Sequence, residues 1–464
     1  MKVTFIMPCV GRKPDSNEYV KGWLMEPLAV AMLSALTPEH ITREFFDDRL
    51  EPIDYDTGTD LVAVNVETYT ARRAYQIAGE YRRRGIPVVM GGFHATLCPH
   101  EVEQYAESVA VGSAEDTWPR ILSDYENGRL ARRYTGEDNS FAGVLPDRAI
   151  YADKRYTGVT LIETGRGCRF SCEFCSISPF FKKQYFPRSV DEVVTEIEQR
   201  RFRFVFFIDD NIMVDRARTV TLLKALIPLK VQWIGQVSLN LARDPEMMSL
   251  MKQSGCAGVL IGFESLNRDN LTAMGKQINY SMGDYDSAAA TLRKAGLGVY
   301  ATFVFGYDGD TVDAFRRTLA FAKRSKFFFA AFNHLVPFPG TPLYQRLLLN
   351  GSLRDEKWWL SGERTFGEVV FEPGQLSPDA LAETCLTYRR KFYSPLSVLY
   401  RSSNFQSNCS SLAKTLIYFS QSVIGRKDVL RRQGLPFGLP GVHVEKRVAK
   451  PKSVDAEGQE RICS

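Results

Sequence analysis

Cys168, Cys172 and Cys175 lie in the run Glu163-Thr-Gly-Arg-Gly-Cys-Arg-Phe-Ser-Cys-Glu-Phe-Cys175, which spaces three thiols as C-x3-C-x2-C on one short stretch. Thiolates that close can ligate three irons of a four-iron cluster and leave the remaining iron without a protein ligand. An open iron is a place for chemistry. Zinc would want four ligands, and the neighbouring cysteines along the chain, Cys98 and Cys256, stand alone. Cysteines that serve only as small hydrophobes usually scatter rather than cluster, which disfavours a chance grouping.

The stretches around this loop alternate strand-like and helix-like patterns. From Val159 six strands are expected: Val159–Glu163, Phe204–Ile208, Val231–Val237, Ala257–Phe263, Val299–Phe305 and Phe329–Val336, with helical patterns such as Val190–Ile197 between them. Six such units make a partial barrel, whose active edge is the one carrying the strands' C-terminal ends. The aromatic run Phe327–Phe329 with Phe332 is expected on an inward-facing strand. Before Asp138, Val3–Met7, Glu44–Asp47, Leu61–Val66 and Pro87–Met90 read as strands, with helices at Leu28–Leu36, Ala71–Arg84 and Trp118–Glu126. This is a doubly wound α/β unit, in which a ligand lies beyond the strand ends, at the loops Thr68–Thr70, Gly91–His94 and Gly112–Glu115. Residues from about 140 to 157 read as a linker.

The cysteine spacing, with Phe174 in the aromatic place before Cys175, resembles the signature of the radical S-adenosylmethionine (SAM) superfamily. The resemblance implies a [4Fe-4S] cluster whose open iron binds SAM, and reductive cleavage of SAM to a 5′-deoxyadenosyl radical. It extends along the barrel. Asp209 and Asp210 stand where the superfamily receives the SAM amino group, although a helix N-cap is an alternative use for them. Gln236 and Ser238 close the third strand, Glu264-Ser265 the fourth, and Gly306 the fifth, where the family contacts SAM ribose, carboxylate and adenine. Arg166 and Arg169 flank the cluster loop, either screening its charge or lying on the surface.

Gly91-Gly92-Phe93-His94-Ala95-Thr96 resembles the loop of the cobalamin-binding domains that precede many radical SAM barrels, and so implies cobalamin held by Gly91, Gly92, His94 and Thr96. Glycines would let backbone approach a flat corrin. The D-x-H-x-x-G motif that places a histidine on cobalt is absent. The implied layout is a doubly wound cobalamin-binding-like domain over residues 1–140, a partial (β/α)6 barrel over 155–345, and a small, mainly helical C-terminal domain over 346–464 with a disordered tail.

The implied reaction is methylation of an unactivated carbon of a hydrophobic or natural-product small molecule, using a 5′-deoxyadenosyl radical and methylcobalamin, and the layout looks most like the group containing hopanoid methylases. A non-methylating cobalamin-dependent cyclase or oxidase is the alternative, and a cofactor-binding sensor a second. An electron donor such as flavodoxin or ferredoxin is implied. Dispersed cysteines without pairing pattern, together with an oxygen-sensitive cluster, point to a reducing cytoplasm. The net charge of +5 is spread among acids, so nucleic acid is not indicated. Leu412–Ile424 is apolar and followed by Arg426-Lys427 and Arg431-Arg432; it reads either as a packed terminal helix or as a segment lying on an anionic membrane surface.

Overall fold

Runs such as Leu61-Val-Ala-Val and Phe204-Val-Phe-Phe are apolar at consecutive positions, which suits strands covered on both faces. In the computed structural model, which describes residues 1–13, 24–136, 141, 143–200 and 202–447, these runs build two six-stranded sheets in which every neighbouring pair is parallel. The protein is therefore an α/β fold with parallel sheets.

The first sheet holds β1 (Lys2–Met7), β2 (Thr42–Asp47), β3 (Leu61–Asn65), β4 (Val88–Gly91), β5 (Ser108–Val111) and β6 (Arg133–Thr135), in the order β2-β1-β3-β4-β5-β6. The order reverses between β1 and β3, the switch point at which doubly wound sheets open a crevice. β6 is an edge strand that the sequence pattern does not announce. The helix before it spans Ala114–Glu126 and so begins ahead of the expected Trp118. Glu115 and Asp116 in its first turn complement the positive helix terminus and account for the earlier start.

The second sheet uses β7 (Thr160–Ile162), then, beyond the hairpin strands β8 (Gly165–Gly167) and β9 (Tyr185–Pro187), β10 (Phe204–Phe207), β11 (Gln232–Val237), β12 (Cys256–Glu264), β13 (Gly298–Phe305) and β14 (Phe329–His334). Its six strands lie side by side in chain order, and β7 and β14 each pair on one side only. Because all run the same way, Glu163, Asp210, Gln236, Glu264 and Gly306 arrive at one edge. Alternation along the strands separates two faces. Val205, Phe207, Trp233, Ile261 and Phe303 are buried beneath helices, while Leu161, Phe206, Ile234, Leu260, Tyr300 and Phe329 are half-buried on the other face. The aromatic run divides accordingly. Only Phe329 joins the half-buried face; Phe332 packs on Phe303 and Phe392, and Phe327 on Phe263 and Phe321.

Among the described residues after 346, side chains join the cores of both sheets. Trp358, Trp359 and Phe437 enter the core of the first sheet beside Tyr75 and Val102, whereas Leu381, Cys385, Phe392 and Tyr393 complete the core of the second. Residues 438–442 fasten to the first unit: Gln76 donates to the Leu439 and Val442 carbonyls at 3.0 and 2.7 Å, and Gly11 bridges Gly438. Asp138–Ser140 of the expected linker and the tail beyond Arg447 lie outside the described residues.

Glu101 ties the first unit to the late chain. Its carboxylate accepts from Tyr75 (3.0 Å), Trp359 (2.8 Å) and His94 (3.1 Å), and pairs with Lys357 at 3.0 Å. Burial alone would push this acid up, but the hydrogen bonds and charges of His94, Trp359 and Lys357 outweigh it and hold the pKa at about 2, below its usual 4.5. A depressed carboxylate stabilises the fold above its unfolded pKa and loses that effect as pH falls through its folded pKa. Glu101→Gln is expected to cost about 2–3 kcal/mol at neutral pH, with the gap to the parent narrowing as pH drops from 4.5 toward 2 in urea melts.

Candidate active site

A loop carrying three ligands must be pinned along its whole length, since a free loop would pay ordering entropy at each metal bond. The segment Cys168–Cys175 leaves the β8–β9 hairpin and is gripped from several directions. Asp210 accepts the Gly167 N–H at 2.9 Å, immediately before Cys168. Glu173 N–H donates to the Met274 carbonyl (3.0 Å), and its carboxylate accepts from Tyr307 (3.0 Å) and Arg346 (2.6 Å). The Glu173 carbonyl in turn receives Leu343 N–H at 3.0 Å. Glu173 is thus bound to the exits of β12 and β13 and to the helix Pro342–Leu349, a role that its place inside Cys-Glu-Phe-Cys does not disclose.

The three thiols are free of disulfides, and burial raises the pKa of each, that of Cys175 to about 11. Among the described residues no three His, Cys, Asp or Glu side chains converge as a single ion requires. The donor set fits a [4Fe-4S] cluster: three sulfurs on one pinned loop.

Lys276 completes the charge pattern, and the sequence reading missed it. Its ammonium pairs with Glu264 at 2.9 Å, sits near Cys172 and Cys175, and lies 5.9 Å from the centroid of the Phe174 ring. Burial by itself would lower its pKa, but Glu264 and Cys172 overcome that and raise it. Glu264 reaches this place through a bulge in the β12–β13 pairing and a left-handed backbone, φ 63°, rare for a residue with a side chain. Gly262, two residues before it, leaves room for this carboxylate, since an added Cβ would fall 2.2 Å from Glu264 Oε1 and displace it. The only local sign of the cation is the Met274-Gly-Lys276 turn, common enough to pass unnoticed.

Asp209 and Asp210, adjacent in sequence, part company. Asp209 is buried, and its oxygens accept Thr164 N–H (2.7 Å) and Oγ1–H (2.6 Å), tying β7 to β10. Asp210 instead faces Cys168 and Cys175. Burial pushes their pKa values up, to about 7 and about 6. Neither caps a helix, the next one being capped by Asp215. Gln236 donates to the Asp210 carbonyl at 2.8 Å and Ser238 accepts from Asn211 at 2.7 Å, so both brace the Asp210 turn. Gly306, at φ 122°, is required because a Cβ there would meet Phe371 at 2.9 Å and Leu381 at 3.2 Å. Arg166 is no surface guanidinium: it pairs with Glu115 (2.9 Å) and Glu163 (2.8 Å), joining the two sheets. Arg169 is exposed.

The loop after β4 stands alongside this site through Phe93, whose ring stacks on Phe180 at 4.3 Å, just beyond Cys175. Gly92 is demanded by β3 rather than by an open face, since a Cβ would fall 2.4 Å from Asn65 Oδ1 and 3.0 Å from the Val66 carbonyl. His94 is fully buried, with Nε2 on Glu101 and Nδ1 3.2 Å from Thr68 Oγ1, so neither ring nitrogen is available to a metal. Thr96 accepts Gly112 N–H at 3.0 Å and joins the β4 and β5 loops. Gly91 lies against Ala110. These side chains shape the crevice from behind.

Residues 162–322 match the radical SAM superfamily. Over 351 residues the chain is 30% identical to bacteriochlorophyllide d C-8(2)-methyltransferase of Chlorobaculum tepidum, covering 71% of this chain and 78% of that protein. Over 401 residues it is 29% identical to bacteriochlorophyllide d C-12(1)-methyltransferase of the same organism, covering 82% and 85%. The structure of the radical SAM methyltransferase TsrM from Kitasatospora setae, with cobalamin and a [4Fe-4S] cluster bound, superimposes with a TM-score of 0.59 at 17% identity, covering 93% of this chain and 98% of that one.

Two substitutions separate ligation from support. Cys172→Ala should abolish cluster absorbance after anaerobic reconstitution while leaving the far-ultraviolet circular dichroism unchanged. Asp210→Ala leaves Gly167 N–H without its acceptor, at a local cost of about 1–3 kcal/mol. The cluster should still form but be lost to a chelator several-fold faster.

Proposed function

The chain belongs to the radical SAM superfamily, in its cobalamin-dependent, methylase-like branch, and on that footing we propose that it transfers a methyl group to an unactivated carbon of a hydrophobic small molecule. The observation that carries the reading is the pinned loop with three thiols and no fourth. When bound, the cluster and SAM supply a carbon-centred 5′-deoxyadenosyl radical, and cobalamin supplies a methyl carrier able to meet a substrate radical.

Within this reading Cys168, Cys172 and Cys175 hold the cluster and Phe174 walls its side. Asp210, partly exposed beside the thiols, offers a carboxylate to the SAM ammonium, and Lys276, oriented by Glu264, offers a cation to the SAM carboxylate. Gln236 and Ser238 brace Asp210 and border the ribose, and the β13 exit at Gly306 borders adenine. Asp209 positions the β7 and β10 exits from behind. Residues 1–140 would form the cobalamin-binding unit, holding the group beyond the ends of β3, β4 and β5, where the loop of Gly91, Gly92, His94 and Thr96 sets the spacing and both His94 ring nitrogens are engaged by Glu101 and Thr68. Residues 155–345 form the partial (β/α)6 barrel. Residues 346–464 follow as the C-terminal portion, and the described part, up to residue 447, braces both units.

A hydrophobic substrate is supported by the half-buried face of Leu161, Phe206, Ile234, Leu260, Tyr300 and Phe329, a lining typical of sites that take apolar ligands. Both bacteriochlorophyllide relatives are methyltransferases by name. A small reductant of the flavodoxin or ferredoxin class, in the cytoplasm, would supply electrons.

The test is a reconstituted, anaerobic reaction with cobalamin, reductant and SAM labelled as CD3, using a lipid-soluble extract as the substrate source. The expected outcome is 5′-deoxyadenosine together with a product heavier by one CD3 in place of hydrogen. Formation of 5′-deoxyadenosine with a product lacking the label would instead favour the cyclase or oxidase alternative.

A further inference from the structure

The helix Leu412–Arg431 is packed the wrong way round for a water-facing element. Its buried side is made of Tyr418 and Ser422 with half-buried Thr415, Gln421 and Gly425: Tyr418 donates to the Val398 carbonyl at 2.9 Å, and Gly425 lies against the Tyr393 ring. The outward side is apolar. Leu412 (79% exposed), Leu416 (65%), Phe419 (40%) and Val423 (57%) recur at i, i+4, i+7 and i+11, which is one continuous stripe along a helix, and Ile417 and Ile424 widen it. The adjoining helix Pro395–Ser402 adds Leu396 at 81% and Leu399 at 63% exposed, and Phe405 follows at 73%. Scattered surface hydrophobes need no explanation, but a stripe of this extent marks a contact.

Charge identifies the partner. Between Tyr388 and Gln433 the sequence holds nine basic residues and one acid, Asp428, and of the nine only Arg401 is buried, donating to the Phe327 and Phe392 carbonyls. Arg389, Arg390 and Lys391 lie in the last turn of the helix Pro378–Phe392, and the next residue, Tyr393, packs on Gly425, which directly precedes Arg426 and Lys427 near one end of the stripe. Lys414 stands at the other end. No helix among the described residues is long and apolar enough to cross a membrane, so the stripe does not span.

We propose that the helix Leu412–Arg431, with the exposed leucines of Pro395–Ser402, docks this protein onto the surface of an anionic lipid bilayer. The apolar side chains enter the acyl boundary and the flanking guanidinium and ammonium groups meet phosphate headgroups. A second copy of this chain would bring the same positive charge against itself, which argues for lipid over self-association. Docking leaves the barrel side of the helix, and hence the cysteine loop, untouched.

The test is flotation of the full-length chain with liposomes of phosphatidylcholine alone and with about one third phosphatidylglycerol. Binding is expected to the anionic vesicles, at least about tenfold weaker to the neutral ones, and to fall as salt rises from 0.1 to 0.5 M. Leu416→Asp and Phe419→Asp, both at exposed positions that leave the packed side intact, should each reduce binding about tenfold. Arg426→Glu with Lys427→Glu should remove the preference for anionic lipid. Cys172→Ala should bind as the parent does, so failure of the proposed chemistry and failure of docking are distinguishable. Absence of binding to anionic vesicles, or binding unaffected by Leu416→Asp, overturns the proposal. So does a dimer in sedimentation velocity that Leu416→Asp dissolves in a protein that ignores vesicles.

Discussion

Parallel strand direction is the constraint on which the site depends. Six strands running the same way put six loop entrances on one edge, and Glu163, Asp210, Gln236, Glu264 and Gly306 all lie at or just beyond a strand's C-terminal end. The cysteine loop is then fastened to those exits rather than to itself. Gly167 hangs from Asp210 at the end of β10, Glu173 from Met274 and Tyr307 beyond β12 and β13, and Lys276 swings back from the same region to face Cys172. A ligand-bearing loop gains its fixed spacing from neighbours that are themselves fixed by hydrogen-bond ladders.

The second constraint is charge in a place that excludes much of the water. Asp210, Glu264 and Lys276 bring two negative charges and one positive charge beside three thiols, and the Glu264–Lys276 pair leaves the cation oriented rather than loose. The left-handed backbone at Glu264 and the bare Gly262 are what such an orientation costs locally. Strain of that sort persists where the surrounding sheet over-determines it.

What the sequence discloses follows from locality. The cysteine loop, the six strands of the second sheet and the Gly91-Gly92 loop are written in contiguous residues, and they were legible. The β8–β9 hairpin was not, because Gly165-Arg-Gly167 carries no apolar alternation. Asp209 and Asp210 are indistinguishable as letters, and only the pleat turns one inward and the other toward the thiols. Lys276 lies beyond Glu264 on an ordinary turn, so its arrival depends on a bulge. Trp358 and Trp359 signal burial but not destination; they complete the core of a sheet built hundreds of residues earlier. Gly92 and Gly306 also lie close to Asn65 and Phe371, neighbours that the sequence does not reveal.

The central claim is that one iron of a cluster held by Cys168, Cys172 and Cys175 lacks a protein ligand and takes SAM. Mössbauer spectroscopy of the chain reconstituted with 57Fe, recorded with and without SAM, addresses it directly. The account predicts that a single iron of the four changes its isomer shift and quadrupole splitting on SAM addition while the other three stay as they were. A spectrum that SAM leaves unchanged, or one showing isolated iron without cluster coupling, would contradict it.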